Sequence, residues 1–404
     1  MGCGGFGGAH DRGLVMTKWL MTEQGADSER APHVARFASV GRSLPQTHLT
    51  SSELMASTKH NTHVDLERLT GIQERRVSMG EEDSFTLAVG AARDCLSRWD
   101  GDPAAIDLVI SCSITKYRDG LSQWLEPPMS VAVASAVGAV NAVPIDVSNA
   151  CAGTLTGVMV ANNWVRRGAA RHVLVVSGEY ISQLGRNAAG HVHTIASREL
   201  ASLTLGDAGG AALVERADEG EAGITFTGFT TISEHSRLCL AYPARHDPGA
   251  RMFTKSRPLQ EAAIADVPTV LREVLDSTGL EIEDIAWVIP HQTSARAIRK
   301  GMAAVTEVLG GSTREPAVVT VDRYGNTAST THMVALVEEL RAGRPSVGDR
   351  IALLALASGI ELGVVLFTVD EALAEPLRAL GPDQPPLVAT AATSEGSGRH
   401  GNHD

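Results

Sequence analysis

A repeat across the two halves of the chain constrains its fold more than any other feature. In the first half a helix-forming segment (84–98) leads through Ala104-Ala-Ile-Asp107 into the apolar stretch 108–113. In the second half another (268–279) leads through Ile282-Glu-Asp284 into the apolar stretch 285–290. Further on in each half an extended segment runs into a helix-forming one, with Cys151 at the first junction and Asn326 at the second. Each half then closes on small residues inside an apolar run, Leu205-Gly-Asp-Ala-Gly-Gly210 and Ala357-Ser-Gly-Ile-Glu-Leu-Gly363. Two copies of one α/β unit satisfy this pattern. Continuous apolar strands such as 172–177 call for sheets covered on both faces, so the expected arrangement is a layered α/β/α/β/α stack.

A chain of 404 residues, 43% hydrophobic and 20% charged, has the length for two such halves. The expected boundaries are 33–218 for the half with Cys151 and 219–372 for the half with the later His and Asn. Residues 1–32, with Gly2-Cys-Gly-Gly-Phe-Gly-Gly8, and 373–404, rich in Pro, Ala, Ser and Gly, read as flexible additions. The glycine-rich start matches a dinucleotide fingerprint in spelling only, since no strand precedes it and no helix follows. Without an apolar run of membrane length or a signal-like start, a cytoplasmic protein is expected. Five scattered cysteines argue for free thiols. A net charge of −12 with no basic cluster argues against nucleic acid, and Arg166-Arg167 with Arg171 is the candidate patch for an acidic carrier protein.

Three residues at element boundaries carry chemistry. Cys151 lies in Asn149-Ala-Cys-Ala-Gly153 where a strand enters a helix, and unpaired N–H groups at a helix start shift a thiol toward thiolate. His291 follows a short apolar strand in Pro290-His-Gln292, and Asn326 follows Tyr324-Gly325. A Cys, a His and an Asn so placed can converge in space. Singly, each also reads as a core thiol, a strand-end histidine or a turn residue. His332, shortly after Asn326, reads as a helix-surface histidine or as a neighbour of the same pocket. The pairs His60/His63 and His191/His193 lack further ligands at metal spacing, so no metal is expected.

Together with Thr70-Gly-Ile-Gln-Glu-Arg-Arg-Val77 and Leu205-Gly-Asp207, these motifs resemble the thiolase superfamily, and within it the ketoacyl-acyl-carrier-protein synthase III branch. The resemblance spans roughly residues 35 to 370 and implies the thiolase fold, a homodimer and no bound cofactor. It further implies that an acyl group from an acyl-CoA or acyl-carrier-protein thioester is parked on Cys151 and attacked by a carbon nucleophile. The oxyanion donors would be the backbone N–H of Cys151 and one from the turn at Ser358. His291 and Asn326 would donate to the carbonyl of the second thioester, each such donor being worth about 3–4 kcal/mol.

A narrower resemblance concerns Arg118-Asp-Gly-Leu-Ser-Gln-Trp-Leu-Glu126-Pro-Pro-Met-Ser130, which looks like the arm carrying a glutamate base in thiolases that join two acyl chains head to head in olefin and β-lactone pathways. Condensing two plain acyl thioesters requires a base, because no carbon dioxide is lost to make the carbanion. Glu126, desolvated among Trp124, Leu125 and Met129, would be that base. Its other reading is a surface residue beside a Pro-Pro turn. Substrate contacts are expected from Trp124, and from Arg68 and Arg198 for carrier phosphates, since this chain reads Asp65-Leu-Glu-Arg68-Leu69 where many relatives have the Trp and Arg that clamp coenzyme A. Decarboxylative condensation with a malonyl unit, acyl transfer to a hydroxyl or amine, and a non-catalytic partner of a heterodimer are the other functions this pattern admits.

Overall fold

The computed structural model describes residues 20–23, 33–60, 62–218 and 222–382. Two five-stranded mixed sheets form its frame. The first runs in the order Ala35–Ser43, Ala208–Arg216, His172–Glu179, Leu108–Ser111, Val143–Asp146, with two antiparallel pairings followed by two parallel ones. The second runs Leu20–Glu23, Ile224–Thr231, Glu361–Thr368, Arg350–Ala357, Trp287–Pro290, antiparallel until the last, parallel pair. The four strands from Ile224–Thr231 to Trp287–Pro290 repeat the connectivity of the first four of the other sheet, so the repeat in the sequence is a repeat in topology.

Side-chain alternation along the strands builds the layers. Leu108, Ile110, Val173, Val175, Ala212 and Val214 face the space between the sheets, while Val109, Leu174, Val176, Ala211 and Leu213 face outward. Two helices, Gly153–Arg166 and Thr331–Arg341, fill the inner space with Leu155, Val158, Met333 and Leu336 against both sheets. Ser84–Leu96 and Met129–Val137 cover the outer face of the first sheet, and Ser256–Thr278 and Ala295–Leu309 that of the second. This is the duplicated, five-layered αβαβα thiolase fold. No helix among the described residues is long and apolar enough to cross a membrane.

Three expectations are corrected. Within the segment read as a flexible C-terminal tail from residue 373, Glu371–Leu380 is a helix, capped by Asp370 and burying Leu373, Ala374 and Leu377. Fully burying a leucine side chain is worth about 1.5–3 kcal/mol, and Arg36, paired with both Glu215 and Asp370, ties the helix start to the first sheet. Residues 383–404 lie outside the described residues. Within residues 1–32, Leu20–Glu23 is an edge strand of the second sheet, while the glycine-rich start lies outside the described residues. Arg166, expected on a basic surface patch, is buried on the inner helix and leaves only Arg167 and Arg171 exposed.

Candidate active site

Cys151 sits in a single 3-10 turn, Ala150–Ala152, between the strand Val143–Asp146 and the inner helix Gly153–Arg166. The turn is sharp: Ala150 has φ +44°, the left-handed region that a residue with a Cβ rarely enters. Gly153 lets the helix start press on the chain just past the strand Leu108–Ser111, since a Cβ there would lie 2.7 Å from the Cys112 carbonyl oxygen. Asn149 Nδ2 donates to Thr156 Oγ1 and Glu361 Oε1, each at 2.7 Å, so the turn is tied to the hairpin that carries Ser358. Ile181, Leu184, Leu205, Ala328, Ala250 and Met252 wall the half-buried Cys151.

The thiol is not a preformed thiolate. Burial pushes the Cys151 thiol up to about 12, with Cys239 and Glu179 adding in the same direction. Desolvation by that apolar wall outweighs the helix start, which reverses the expectation drawn from the sequence.

Asn326 reaches Cys151 through the turn Ala328–Thr330, whose first residue packs against the thiol. Asn326 N donates to Thr204 O at 2.8 Å and its carbonyl accepts from Gly206 N at 3.0 Å, a short parallel bridge joining the Leu205-Gly-Asp motif to the second half. Its Oδ1 accepts from Ala328 N at 3.0 Å, which orients the amide and leaves the Nδ2 hydrogens as its donors. Behind this crossing lies Arg75, fully buried and donating to the Leu203 carbonyl and Ser51 Oγ, so the Arg-Arg of the first motif is an internal strut. Glu179 is fully buried too, accepting from Ile114 N, Thr115 N and the hydroxyls of Thr115 and Ser329. It fixes the turn after Asn326 to the first sheet, and burial pushes its pKa up.

His291 ends the strand Trp287–Pro290, its N–H donating to Leu354 O at 2.8 Å. Its neighbour Gln292 joins His291 to the approach to Asn326. Gln292 Nε2 donates to the Pro290 and Val318 carbonyls, and Oε1 accepts from Thr320 N and Val321 N. Burial, with His332 beside it, pushes His291 down to about 3, so the ring is neutral at physiological pH. His332 is not on a helix surface: it is fully buried, its ring centroid 6.1 Å from that of His291. The roles of Gln292 and Glu179 escape a reading by sequence because most of their partners are distant along the chain.

The remaining predicted residues are exposed or half-buried. Glu126 is exposed and so is Leu125, at 76%, contrary to the expected desolvated pocket. Trp124 is half-buried under its own arm, with the Arg118 guanidinium 4.2 Å from its ring and Phe85 alongside at 5.5 Å. Arg68 and Arg198 are exposed; the Arg68 carbonyl accepts from Arg296 and that of Arg198 from Thr254 N. Ser358 is exposed in a turn whose Gly359 and Ile360 have φ +98° and +41°. The rings of His60 and His193 stack at 3.7 Å, and no group of three metal-ligating side chains occurs among the described residues.

Comparison with known proteins agrees with this geometry. Residues 145–233 match the family model of 3-oxoacyl-[acyl-carrier-protein (ACP)] synthase III, and residues 275–369 match that of its C-terminal region. The β-ketoacyl-[acyl-carrier-protein] synthase III of Streptomyces lividans is 30% identical over 342 residues, 81% of this chain and 92% of that protein. The synthase III structure from Aquifex aeolicus superposes with TM-score 0.70 at 26% identity, covering 83% of this chain and all of the other. A variant of Xanthomonas campestris OleA shares the fold, with TM-score 0.72 at 23% identity over 84% of this chain and 99% of that one. The chain therefore belongs to the 3-oxoacyl-[acyl-carrier-protein] synthase III family and is a condensing acyltransferase.

Proposed function

We propose that this protein performs a Claisen-type condensation of two acyl thioesters through an acyl group held on Cys151. In the loading step the Cys151 sulfur attacks the thioester carbonyl, the carrier sulfur leaves, and the thiol proton ends on the departing carrier thiol. The backbone N–H groups of Cys151 and of the Ser358 turn receive the oxyanion. In the second step an α-carbanion of the other thioester attacks the acyl carbonyl, the new C–C bond forms, and Cys151 leaves as thiolate. His291 and Asn326 stabilise the enolate form of that carbanion. The orientation of Asn326 carries this reading: with Oδ1 occupied by Ala328 N, the amide offers only donors to the pocket, as a developing enolate requires.

Glu126 is the proposed base, which makes the second substrate a plain acyl thioester. Exposed in a single chain, it needs a covering surface to be desolvated, and a second copy supplies one. Among the described residues the strand Val143–Asp146 is a sheet edge, and Val140 and Val143 beside it are 72% and 52% exposed, as Leu125 of the arm is at 76%. Homodimerisation through that edge would bury both. Arg68 and Arg198, both exposed, are the proposed contacts for the phosphates of coenzyme A or of a carrier protein.

The test is a panel of acyl-CoA and acyl-carrier-protein thioesters with intact-mass detection. Wild type should gain an acyl group that Cys151→Ala does not, while Asn326→Ala loads but forms little condensed product. Glu126→Gln should load, stop exchanging α-hydrogens of the second thioester with deuterated water, and regain turnover with a malonyl donor. Wild type that accepts only malonyl donors, with Glu126→Gln indistinguishable from it, would replace this reading by decarboxylative condensation.

A further inference from the structure

The condensation above gives His332 no role, yet its ring is wholly buried beside His291, itself 5% exposed. Both residues are keyed to one backbone atom, His291 by its main chain and His332 by its ring. The Leu354 carbonyl oxygen accepts the His291 backbone N–H at 2.8 Å and lies 2.9 Å from His332 Nε2, which must donate to it. Burial holds both imidazoles neutral, His291 down to about 3 and His332 down to about 4. A neutral imidazole carries one N–H, and what one nitrogen meets decides which nitrogen bears it. His332 has committed its proton to Nε2, so its Nδ1 is a lone pair.

The His291 and His332 Nδ1 atoms are both buried and have no hydrogen-bond partner among the described residues, whereas His291 Nε2 is not enclosed in this way. The ring centroids are 6.1 Å apart. Imidazole nitrogens lie about 1.2 Å from their centroid, so two of them approach to no less than about 3.7 Å here, beyond a direct hydrogen bond of about 2.7–3.2 Å. A direct bond would put the His291 proton on Nδ1 and turn a lone pair toward substrate. A buried water between the rings does the opposite, donating one hydrogen to each Nδ1 and satisfying two orphaned acceptors.

We propose that His332 is a positioning residue for His291: the two Nδ1 atoms share one buried water, which keeps the His291 proton on Nε2, the nitrogen that faces the substrate carbonyl. The inference rests on the donor role of His291 in the condensation, and it extends the site to a residue beyond the Cys, His and Asn set. Loading of Cys151 does not use that donor, so His332 acts on the second step alone.

The test combines nitrogen NMR of protein with 15N-labelled histidine, which distinguishes the two tautomers, with separate rates for loading and for condensation from preloaded enzyme. Wild-type His291 should carry its proton on Nε2. His332→Phe removes both nitrogens, and His332→Gln keeps an amide for Leu354 O but removes the Nδ1 position. Both variants should mix the His291 tautomers and slow condensation by about 10- to 100-fold, the usual effect of losing a group that orients a functional histidine. Loading should stay within about twofold of wild type. His332→Asn, which restores a polar atom near Nδ1, should recover part of the loss. Wild-type His291 protonated on Nδ1, or tautomers and condensation unchanged in His332→Phe and His332→Gln, would overturn the proposal. So would equal losses of loading, condensation and thermal stability in all three variants, which would make His332 a core residue. Failure of wild type to condense any acyl donor would instead defeat the condensing role, while the tautomer signals would still decide this one.

Discussion

The protonation state of Cys151 is the sharpest point at which the structure can be put to the test. A free thiol with pKa about 8.5 is roughly 3% ionised at pH 7, whereas one pushed up to about 12 is ionised to roughly one part in 100,000. The resulting deficit in thiolate is somewhat over a thousandfold. Nucleophilicity rises with pKa along a Brønsted slope of about 0.4–0.5, which returns a factor of roughly 30. Alkylation of Cys151 by iodoacetamide at pH 7 should therefore be about a hundredfold slower than that of a small free thiol. It should rise about tenfold per pH unit through pH 9 without a plateau. Peptide mapping by mass spectrometry separates it from half-buried Cys239 and from the fully buried Cys95 and Cys112, and Cys151→Ala supplies the blank. A plateau below pH 8 would refute the reasoning, because it would mean that the helix start outweighs desolvation. The mechanistic consequence is that the thiol must lose its proton as the thioester is attacked, not before.

Further outcomes follow from the packing behind the site. Gly206→Ala would place a Cβ 2.1 Å from the Tyr324 carbonyl oxygen and 3.0 Å from Arg75 Cβ; overpacking of this kind costs about 1–3 kcal/mol or more. Calorimetry should show a lower Tm, and condensation should fall further than loading because the Leu205–Asn326 crossing is forced apart; an unchanged Tm would contradict that packing. The neutral histidines also make stability depend on pH. In the unfolded chain both His291 and His332 bind protons below about 6.5, while in the folded protein they do not until about 3 and about 4. Stability from these rings is thus present above about pH 6.5 and is lost progressively as pH falls toward the folded values. Tm measured from pH 7 to 5 should fall less steeply for His332→Phe than for wild type, and parallel curves would show that His332 is not held neutral by burial.

The sequence by itself determined the architecture, because that is written in local signals. The helix-to-strand repeat, the apolar strands and the small-residue turns each require one kind of element, and two copies of the same order admit few arrangements. Cys151, His291 and Asn326 stand out as candidates because each lies at an element boundary beside a turn signal. What the sequence could not contain is environment. A thiol at a helix start reads as activated until the wall of Ile181, Leu184, Leu205, Ala328 and Met252, drawn from distant segments, encloses it. His332 reads as surface or as pocket neighbour until the second sheet closes over it, and Gln292 acquires its partners only when the Val318 and Val321 backbones arrive. Glu126 reads as a buried base, yet a single chain leaves it exposed. The helix at Glu371–Leu380 was hidden in the same way, since its short apolar face becomes a signal only against the sheet that buries it. Desolvation and hydrogen-bond orientation act over a few ångströms of space, not of chain, so only the tertiary structure decides which groups are neutral, which are donors and which are merely on the surface.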